Sequence, residues 1–534
     1  MSLEDLNIEG ISAKMRALYG ENKKITDGKY DKSLAVKCIN GTFVGKKTAD
    51  NVIAFKGIPF VGKQPVGELR WKAPVDIVPD DGVYEAYYFG KIPRQEGSAS
   101  QVGSLYPQSE ECLYLNVWKA ADTGVKKPVM VWIHGGAFEL GSTAEPREEG
   151  SNFVQENPDV ILVSVEYRLN IFGFFHLSHL PDGKDYPDAQ NLGLLDQLMA
   201  LKWVHENIAA FGGDPDNVTI FGESAGGASM TLLPLIDGAQ KYFRRVIAES
   251  GTPVFTRSKE ESIACTNEVM EALGCKTVAD LQQVDVEKFE KTAGVLLNLR
   301  VWAERDGNIL PLDPYAAYAD GAAKNLDFIQ GCNKDEMGYF VWGFGLDGFK
   351  AFADDRKAKK LAQLTADEKA LAESYCKDAK DVSPEYTCDT RLFDQIVFIA
   401  PLFRMSENQT IGGGRNFTYF FTPESGTPLI RSGHGIELSV VFNHPEETLV
   451  TGRALDETFC KTMRKMWVQF AKTGNPSLSA EQSPDGKAKE WPLYDLENKQ
   501  IMVFDEFNIH SEKESERKIL DWERTYFLTK YYCI

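Results

Sequence analysis

The chain has 534 residues and is 43% hydrophobic and 26% charged, an ordinary globular balance with ample apolar material for a large core. Its 78 acidic against 59 basic side chains give a formal net charge of −19. Such a surface is soluble and a poor partner for nucleic acid or anionic lipid, so both are set aside.

The first residues, Met1-Ser2-Leu3-Glu4-Asp5, lack the basic start, apolar run and small-residue cleavage site of a signal peptide. No stretch approaches the length of apolar sequence that spans a bilayer. If Met1 is the natural start, the expectation is a cytoplasmic protein that does not enter a membrane. Val36–Pro59 reads as two short strands around Gly41 and Gly45. Residues 61–111, rich in Gly, Pro and Ser, read as a long irregular insertion of the kind that forms lids or binding loops. Two continuous, β-branched apolar runs follow, Pro128–Ile133 and Asp159–Val165, the pattern of buried parallel strands. Leu194–Phe211 carries helical spacing, Asp214–Asn217 reads as a turn, Val218–Gly222 as another buried strand, and Ala225 onward as helix. Further strands are expected at Arg245–Ala248, Leu326–Gly331, Phe417–Phe421 and Gln500–Phe504, with an amphipathic helix over Ser511–Lys530. Strands alternating with helices predict an α/β fold built on a mainly parallel sheet. Large single domains with long insertions reach this length, so one domain over 1–534 is the expectation, with residues 511–534 docked on its body.

Gly222-Glu-Ser-Ala-Gly226 matches G-x-S-x-G, in which a serine on a tight strand-to-helix turn is thrust out above the sheet edge. Alone the pattern is weak in a chain with 45 glycines. The strand before it and the run Ala225-Gly-Gly-Ala228 after it make it specific, and Ser224 is the candidate nucleophile. Attack on an ester carbonyl needs backbone N–H donors where the negative charge develops. Ala225 is one candidate donor, and Gly136 and Ala137, in the turn His134-Gly-Gly-Ala-Phe138 after a strand, are the others, with Gly135 shaping that turn.

This chemistry orders its residues Ser, acid, His along the chain. Of seven histidines, only His434, His444 and His510 follow Ser224. His434 lies in the glycine-flanked loop Ser432-Gly-His-Gly435, whereas His444 and His510 read as surface residues. The acid belongs on a loop after a strand, where Asp335 and Glu336 both stand, and spacing does not separate them.

Several spaced motifs together resemble the type-B carboxylesterase/lipase family, which includes the cholinesterases. They are Phe55-Lys-Gly-Ile-Pro59, Ser109-Glu-Glu-Cys-Leu-Tyr-Leu-Asn116, His134-Gly-Gly-Ala-Phe138, Tyr167-Arg-Leu169, Gly222-Glu-Ser-Ala-Gly-Gly227, Asn333-Lys-Asp-Glu336, His434-Gly-Ile-Glu437 and Trp491-Pro-Leu-Tyr494. The resemblance covers nearly all the chain and implies the α/β-hydrolase fold. It selects Glu336 as the acid and implies that Glu437 and Glu223 support the active-site network, while Tyr339 and Phe340 line the gorge. It also implies that a Gly-Gly-Ala turn, where many members have Gly-Gly-Gly, accepts esters of bulky alcohols.

Two departures stand out. Secreted relatives pair the cysteine matching Cys112 with one upstream in the lid loop, but residues 60–111 contain none, in keeping with a cytoplasmic enzyme. The acyl-pocket region near Leu299–Arg305 carries the unusual charges Glu304 and Arg305. Nine cysteines, an odd number without CxxC or Cys/His metal spacing, argue against zinc. Cys265 with Cys275, or Cys376 with Cys388, could close short loops, though reduced thiols are expected in a cytoplasmic protein.

The resulting expectation is a serine esterase that cleaves small carboxylic esters through an acyl-serine, needs no metal or cofactor, and is a monomer or a homodimer. A lipase acting on longer-chain acylglycerols and a non-catalytic binding protein of the same fold are the rival readings.

Overall fold

The computed structural model describes residues 19–96, 102–121, 126–297, 300–361, 365, 366, 370 and 388–516. The described residues fall into two units, 19–245 with 256–313, and 246–255 with 314–516.

In the first unit six strands lie side by side. They are β1 (Lys46–Ala49), β2 (Val52–Pro59), β3 (Tyr114–Ala120), β4 (Lys127–Ile133), β5 (Ile161–Val165) and β6 (Gly213–Glu223), in the spatial order β6-β4-β5-β3-β2-β1. β4 runs parallel to both β5 and β6, and β3 pairs antiparallel with β5 and β2. Val129–Ile133 and Ile161–Val165 are fully buried residue after residue, without alternation. A strand covered on both faces has no solvent side, which is why these runs are continuously apolar in sequence. The β2–β3 register shifts between Phe55 and Ile58, where Gly57 takes φ +72° and donates its N–H to Asn116 Oδ1 at 2.9 Å.

Where two strands were expected across Val36–Pro59, four form: Ala35–Cys38, Gly41–Val44, β1 and β2. The short segments and exposed β1 carry too little apolar periodicity to separate by eye. The expected turn at Asp214–Asn217 is instead the start of β6, and the register irregularity between Lys127 and Val129 accommodates it. Within residues 61–111 the described part is mostly irregular, with one short strand, Val83–Glu85, parallel to Gly41–Val44.

In the second unit five strands lie in the spatial order β11-β10-β9-β8-β7. They are β7 (Arg245–Glu249), β8 (Asp327–Asn333), β9 (Arg415–Phe421), β10 (Gln500–Asp505) and β11 (Asn508–Lys513). β8, β9 and β10 are parallel and β11 turns back antiparallel. Behind them, Trp467 of the helix Glu457–Thr473 donates its indole N–H to Glu249 at 2.8 Å, within a cluster of Tyr419, Trp491 and Phe504 rings.

The terminal helix expected from Ser511 does not begin there. Ser511–Lys513 belong to β11 and Glu514–Glu516 form one 3-10 turn, while 517–534 lie outside the described residues. The alternation of charged and polar residues there satisfies an edge strand as well as an exposed helix face. Among the described residues no helix is long and apolar enough to cross a membrane.

Candidate active site

β6 ends at Glu223, and the helix Ala225–Leu232 starts two residues later. Between them Ser224 adopts φ 57° and ψ −121°, a conformation that L residues rarely accept and that turns the side chain out of both elements. Its carbonyl takes the first helical bond, from Ala228 N–H at 2.7 Å. The flanking glycines are steric necessities. A Cβ on Gly222 would stand 2.6 Å from Ile133 O, and one on Gly226 only 2.0 Å from the same atom.

The turn after β4 lies against this elbow. A Cβ on Gly135 would meet Glu223 Oε2 at 2.8 Å and Ser224 Cβ at 3.1 Å, so the close approach requires glycine. Gly136, Ala137 and Phe138 follow with φ of 105°, 58° and 61°, a run of left-handed residues that winds successive backbone N–H groups into a tight turn. Leu140 N–H closes it onto Gly136 O at 2.8 Å. The buried Gln95 amide clamps the exit, donating to Gly141 O and accepting from Gly141 N–H, both at 2.8 Å. On the other side Tyr167 donates its hydroxyl to His134 O at 2.9 Å and stacks on the His134 ring. Burial disfavours the His134 imidazolium, but the Glu166 carboxylate 3.4 Å away outweighs it, and the group is held above its ordinary value. Gln95 and Glu166 carry no sequence pattern of their own, so their support of the turn becomes visible only in three dimensions.

The second unit brings the predicted acid and base together. The loop after β8 presents Glu336, fully buried, with Oε2 2.6 Å from His434 Nδ1. The His434 N–H also donates to Glu336 O at 3.1 Å, so backbone and side chain fix the pair. The other carboxylate oxygen of Glu336 accepts from Ser250 Oγ at 2.6 Å and from Asn333 N–H at 2.7 Å. Burial pushes Glu336 up to about 8; these two hydrogen bonds favour its charged form and work against that shift. Asp335 turns the other way, toward Arg431 at 3.5 Å and Lys334 at 3.7 Å.

Glu437 accepts from Asn333 Nδ2 at 2.6 Å, and the same amide donates to Gly433 O, tying the acid loop to the histidine loop. Burial first, and then the charge of Glu336, push Glu437 up to about 7. Tyr339 and Phe340 place their rings 6.2 and 5.4 Å from the imidazole. Phe398 comes nearer still, at 4.9 Å, from a π-helix over Asp394–Ile399. Sequence reasoning missed Phe398 and Ser250. The latter's only signal is its place at the end of a strand, before Gly251, where it takes φ +50°.

His444, expected at the surface, is buried, its Nδ1 2.9 Å from Glu446. His510 is partly exposed on β11. Glu304, an anomaly in sequence, is also buried and lies 2.8 Å from His176 Nδ1, while Leu299 lies outside the described residues. Cys265 and Cys275 are free thiols; Cys376 lies outside the described residues. Among the described residues no group of three or more His, Cys, Asp or Glu side chains could hold a metal ion.

Residues 32–520 match the model of the carboxylesterase family. The chain is 35% identical over 491 residues to a para-nitrobenzyl esterase of Bacillus subtilis, covering 88% of this chain and 95% of that one. It is 30% identical over 484 residues to a cholinesterase of Mus musculus, covering 83% and 78%. Among solved structures, a carboxylesterase of Geobacillus stearothermophilus superposes with a TM-score of 0.79 at 32% identity, over 93% of this chain and all of that one. The fold is therefore that of the α/β-hydrolases, with a large, mostly parallel central sheet, and the chain belongs to the carboxylesterase family of carboxylic-ester hydrolases.

Proposed function

We propose that the chain hydrolyses small carboxylic esters through an acyl-serine formed on Ser224, with His434 as general base and Glu336 as its supporting acid. The observation that carries the reading is the 2.6 Å contact between Glu336 and His434 Nδ1. A carboxylate there holds the proton on Nδ1, leaves Nε2 to take the serine proton, and stabilises the imidazolium that forms. The strained conformation of Ser224 supports its assignment as nucleophile.

In the proposed cycle, Ser224 Oγ attacks the carbonyl carbon while its proton passes to His434 Nε2. Backbone N–H groups of Gly136, Ala137 and Ala225 stabilise the oxyanion. His434 then protonates the departing alcohol, and the acyl group stays on Ser224. Water, activated by the same imidazole, attacks the acyl-serine and releases the acid. No step requires a metal or cofactor. Tyr339, Phe340 and Phe398 give the base an aromatic wall that suits an apolar acyl or alcohol group. A cytoplasmic location is proposed with it, supported by the buried, free Cys112.

Purified Ser224→Ala protein tests the nucleophile: turnover of a p-nitrophenyl ester should fall by at least about three orders of magnitude. Retained turnover would overturn it. The acid is tested by a pair of variants. Glu336→Gln should lose roughly as much, whereas Asp335→Asn should stay within a few-fold of the parent. The reverse pattern would reassign the acid. An activity panel across acyl length and alcohol bulk then separates esterase from lipase, since a lipase gains activity above the solubility limit of its ester.

A further inference from the structure

The first unit holds a serine, a histidine and a glutamate in hydrogen-bonded sequence. His176 Nδ1 lies 2.8 Å from Glu304 Oε2, and His176 Nε2 lies 3.1 Å from Ser178 Oγ. His176 and Glu304 are buried, while Ser178 is exposed. From these contacts we propose that Ser178 is a second nucleophilic site, able to take acyl or phosphonyl groups from small electrophiles with good leaving groups.

The proton positions follow from the partners. The Glu304 carboxylate can only accept, so Nδ1 carries the imidazole proton and donates it. Nε2 is then left as the acceptor for the Ser178 hydroxyl, the arrangement that lets an imidazole draw off a proton as the oxygen attacks. The group is also held in place from outside. Asn191 clamps Glu304 at both backbone atoms, accepting from its N–H at 2.8 Å and donating to its carbonyl at 2.9 Å. Glu304 sits on a two-residue strand, Ala303–Glu304, paired with Thr256–Arg257. Thr266 donates its hydroxyl to His176 O at 2.8 Å. A buried, charged residue at Glu304 needs a partner, and His176 supplies it. An exposed hydroxyl on the far ring nitrogen is not needed for that purpose, since solvent would serve.

With an aryl acetate, the Ser178 oxygen forms a bond to the carbonyl carbon and its proton passes to His176 Nε2. The bond to the aryl oxygen breaks, the phenol leaves with that proton, and the acetyl group stays on Ser178 until water, giving a proton to the same nitrogen, attacks it. The Ser178–acyl bond then breaks, the hydroxyl regains its proton and acetic acid leaves. With a fluorophosphonate the P–O bond forms as the P–F bond breaks, and fluoride leaves with the proton. This assignment does not rest on the reading of Ser224.

The test uses full-length Ser224→Ala protein, a fluorophosphonate probe and peptide mapping by mass spectrometry. Ser33, also exposed, donates its hydroxyl to Asp31 and, among the described residues, has no imidazole partner, so it is the reference within the same chain. Ser178 should be labelled at least about a hundred times faster than Ser33, the low end of what a positioned general base supplies. Glu304→Gln should slow labelling of Ser178 and leave Ser33 unchanged. The residual p-nitrophenyl acetate turnover of Ser224→Ala should fall further in Ser224→Ala/Ser178→Ala. Labelling of Ser178 at the rate of Ser33, or residual turnover indifferent to Ser178→Ala, would overturn the proposal. The rate comparison between two serines of one chain needs no variant that disturbs the buried pair.

Discussion

Replacing Ser224 by glycine should make the protein more stable than replacing it by alanine, although both variants lose the proposed nucleophile. Ser224 holds φ 57° and ψ −121°, and its side chain makes no capping bond to the helix that follows. Removing the hydroxyl therefore forfeits no cap, and what differs between the two variants is the Cβ in a strained backbone. Such strain costs about 1–3 kcal/mol, and glycine gives back about 0.5–1 kcal/mol through the greater freedom of the unfolded chain. The balance favours glycine over alanine by up to about 2.5 kcal/mol, with a midpoint of roughly 1 kcal/mol. Urea unfolding of the two proteins side by side reads the difference, with the glycine variant unfolding at the higher midpoint and the slopes equal. Neither should turn over a p-nitrophenyl ester above about a thousandth of the parent rate. A glycine variant no more stable than the alanine variant would refute the claim that the elbow stores strain.

Three further outcomes follow from the same geometry. Gly226→Ala should destabilise by more than about 2 kcal/mol despite alanine's helix propensity, because its Cβ would stand 2.0 Å from Ile133 O; an unchanged urea midpoint would contradict this. Glu437 is raised from 4.5 to about 7 in the fold, so the folded state holds its proton more tightly than the unfolded chain. Its contribution to stability is present in full below pH ~4.5 and is lost as pH rises through about 7, so Glu437→Gln should flatten the fall in urea midpoint over that window. Equal slopes in both proteins would contradict it. Gln95→Ala should lower kcat with less effect on KM, because it frees the exit of the turn that carries Gly136 and Ala137 while touching no substrate; a pure KM effect would count against that role.

Much of this was legible in sequence because burial on both faces of a parallel sheet writes itself as unbroken apolar runs. Pro128–Ile133, Asp159–Val165, Arg245–Ala248 and Phe417–Phe421 each fall on a strand whose bounds differ by a few residues at most. The elbow was legible for a different reason: Gly222 and Gly226 are demanded by contact with Ile133, so their spacing around Ser224 is a steric signature. Neither cause operates for the residues that were missed. Phe398 lies on a π-helix, whose wider turn breaks the 3.6-residue period by which a helical face is read. Gln95 acts on Gly141 through a side-chain amide from an irregular loop, and Ser250 on Glu336 through a single hydroxyl at a strand end, so neither role is marked by periodicity and each lies across a gap of 46 or 86 residues. His444 was expected at the surface because it precedes Pro445 and a lone histidine is usually a surface residue, yet the imidazole is buried. Glu304 looked out of place among acyl-pocket residues because its partner, His176, is 128 positions away.

The proposed account depends on the His434 imidazole serving the Ser224 oxygen as it attacks the substrate. A crystal structure of the protein inactivated by a fluorophosphonate addresses this directly. It should show an adduct bonded to Ser224 Oγ, with its phosphoryl oxygen facing the N–H groups of Gly136, Ala137 and Ala225. His434 Nε2 should lie within about 3.2 Å of an adduct oxygen. An adduct on another residue in place of Ser224, or an imidazole out of reach of it, would contradict the central claim.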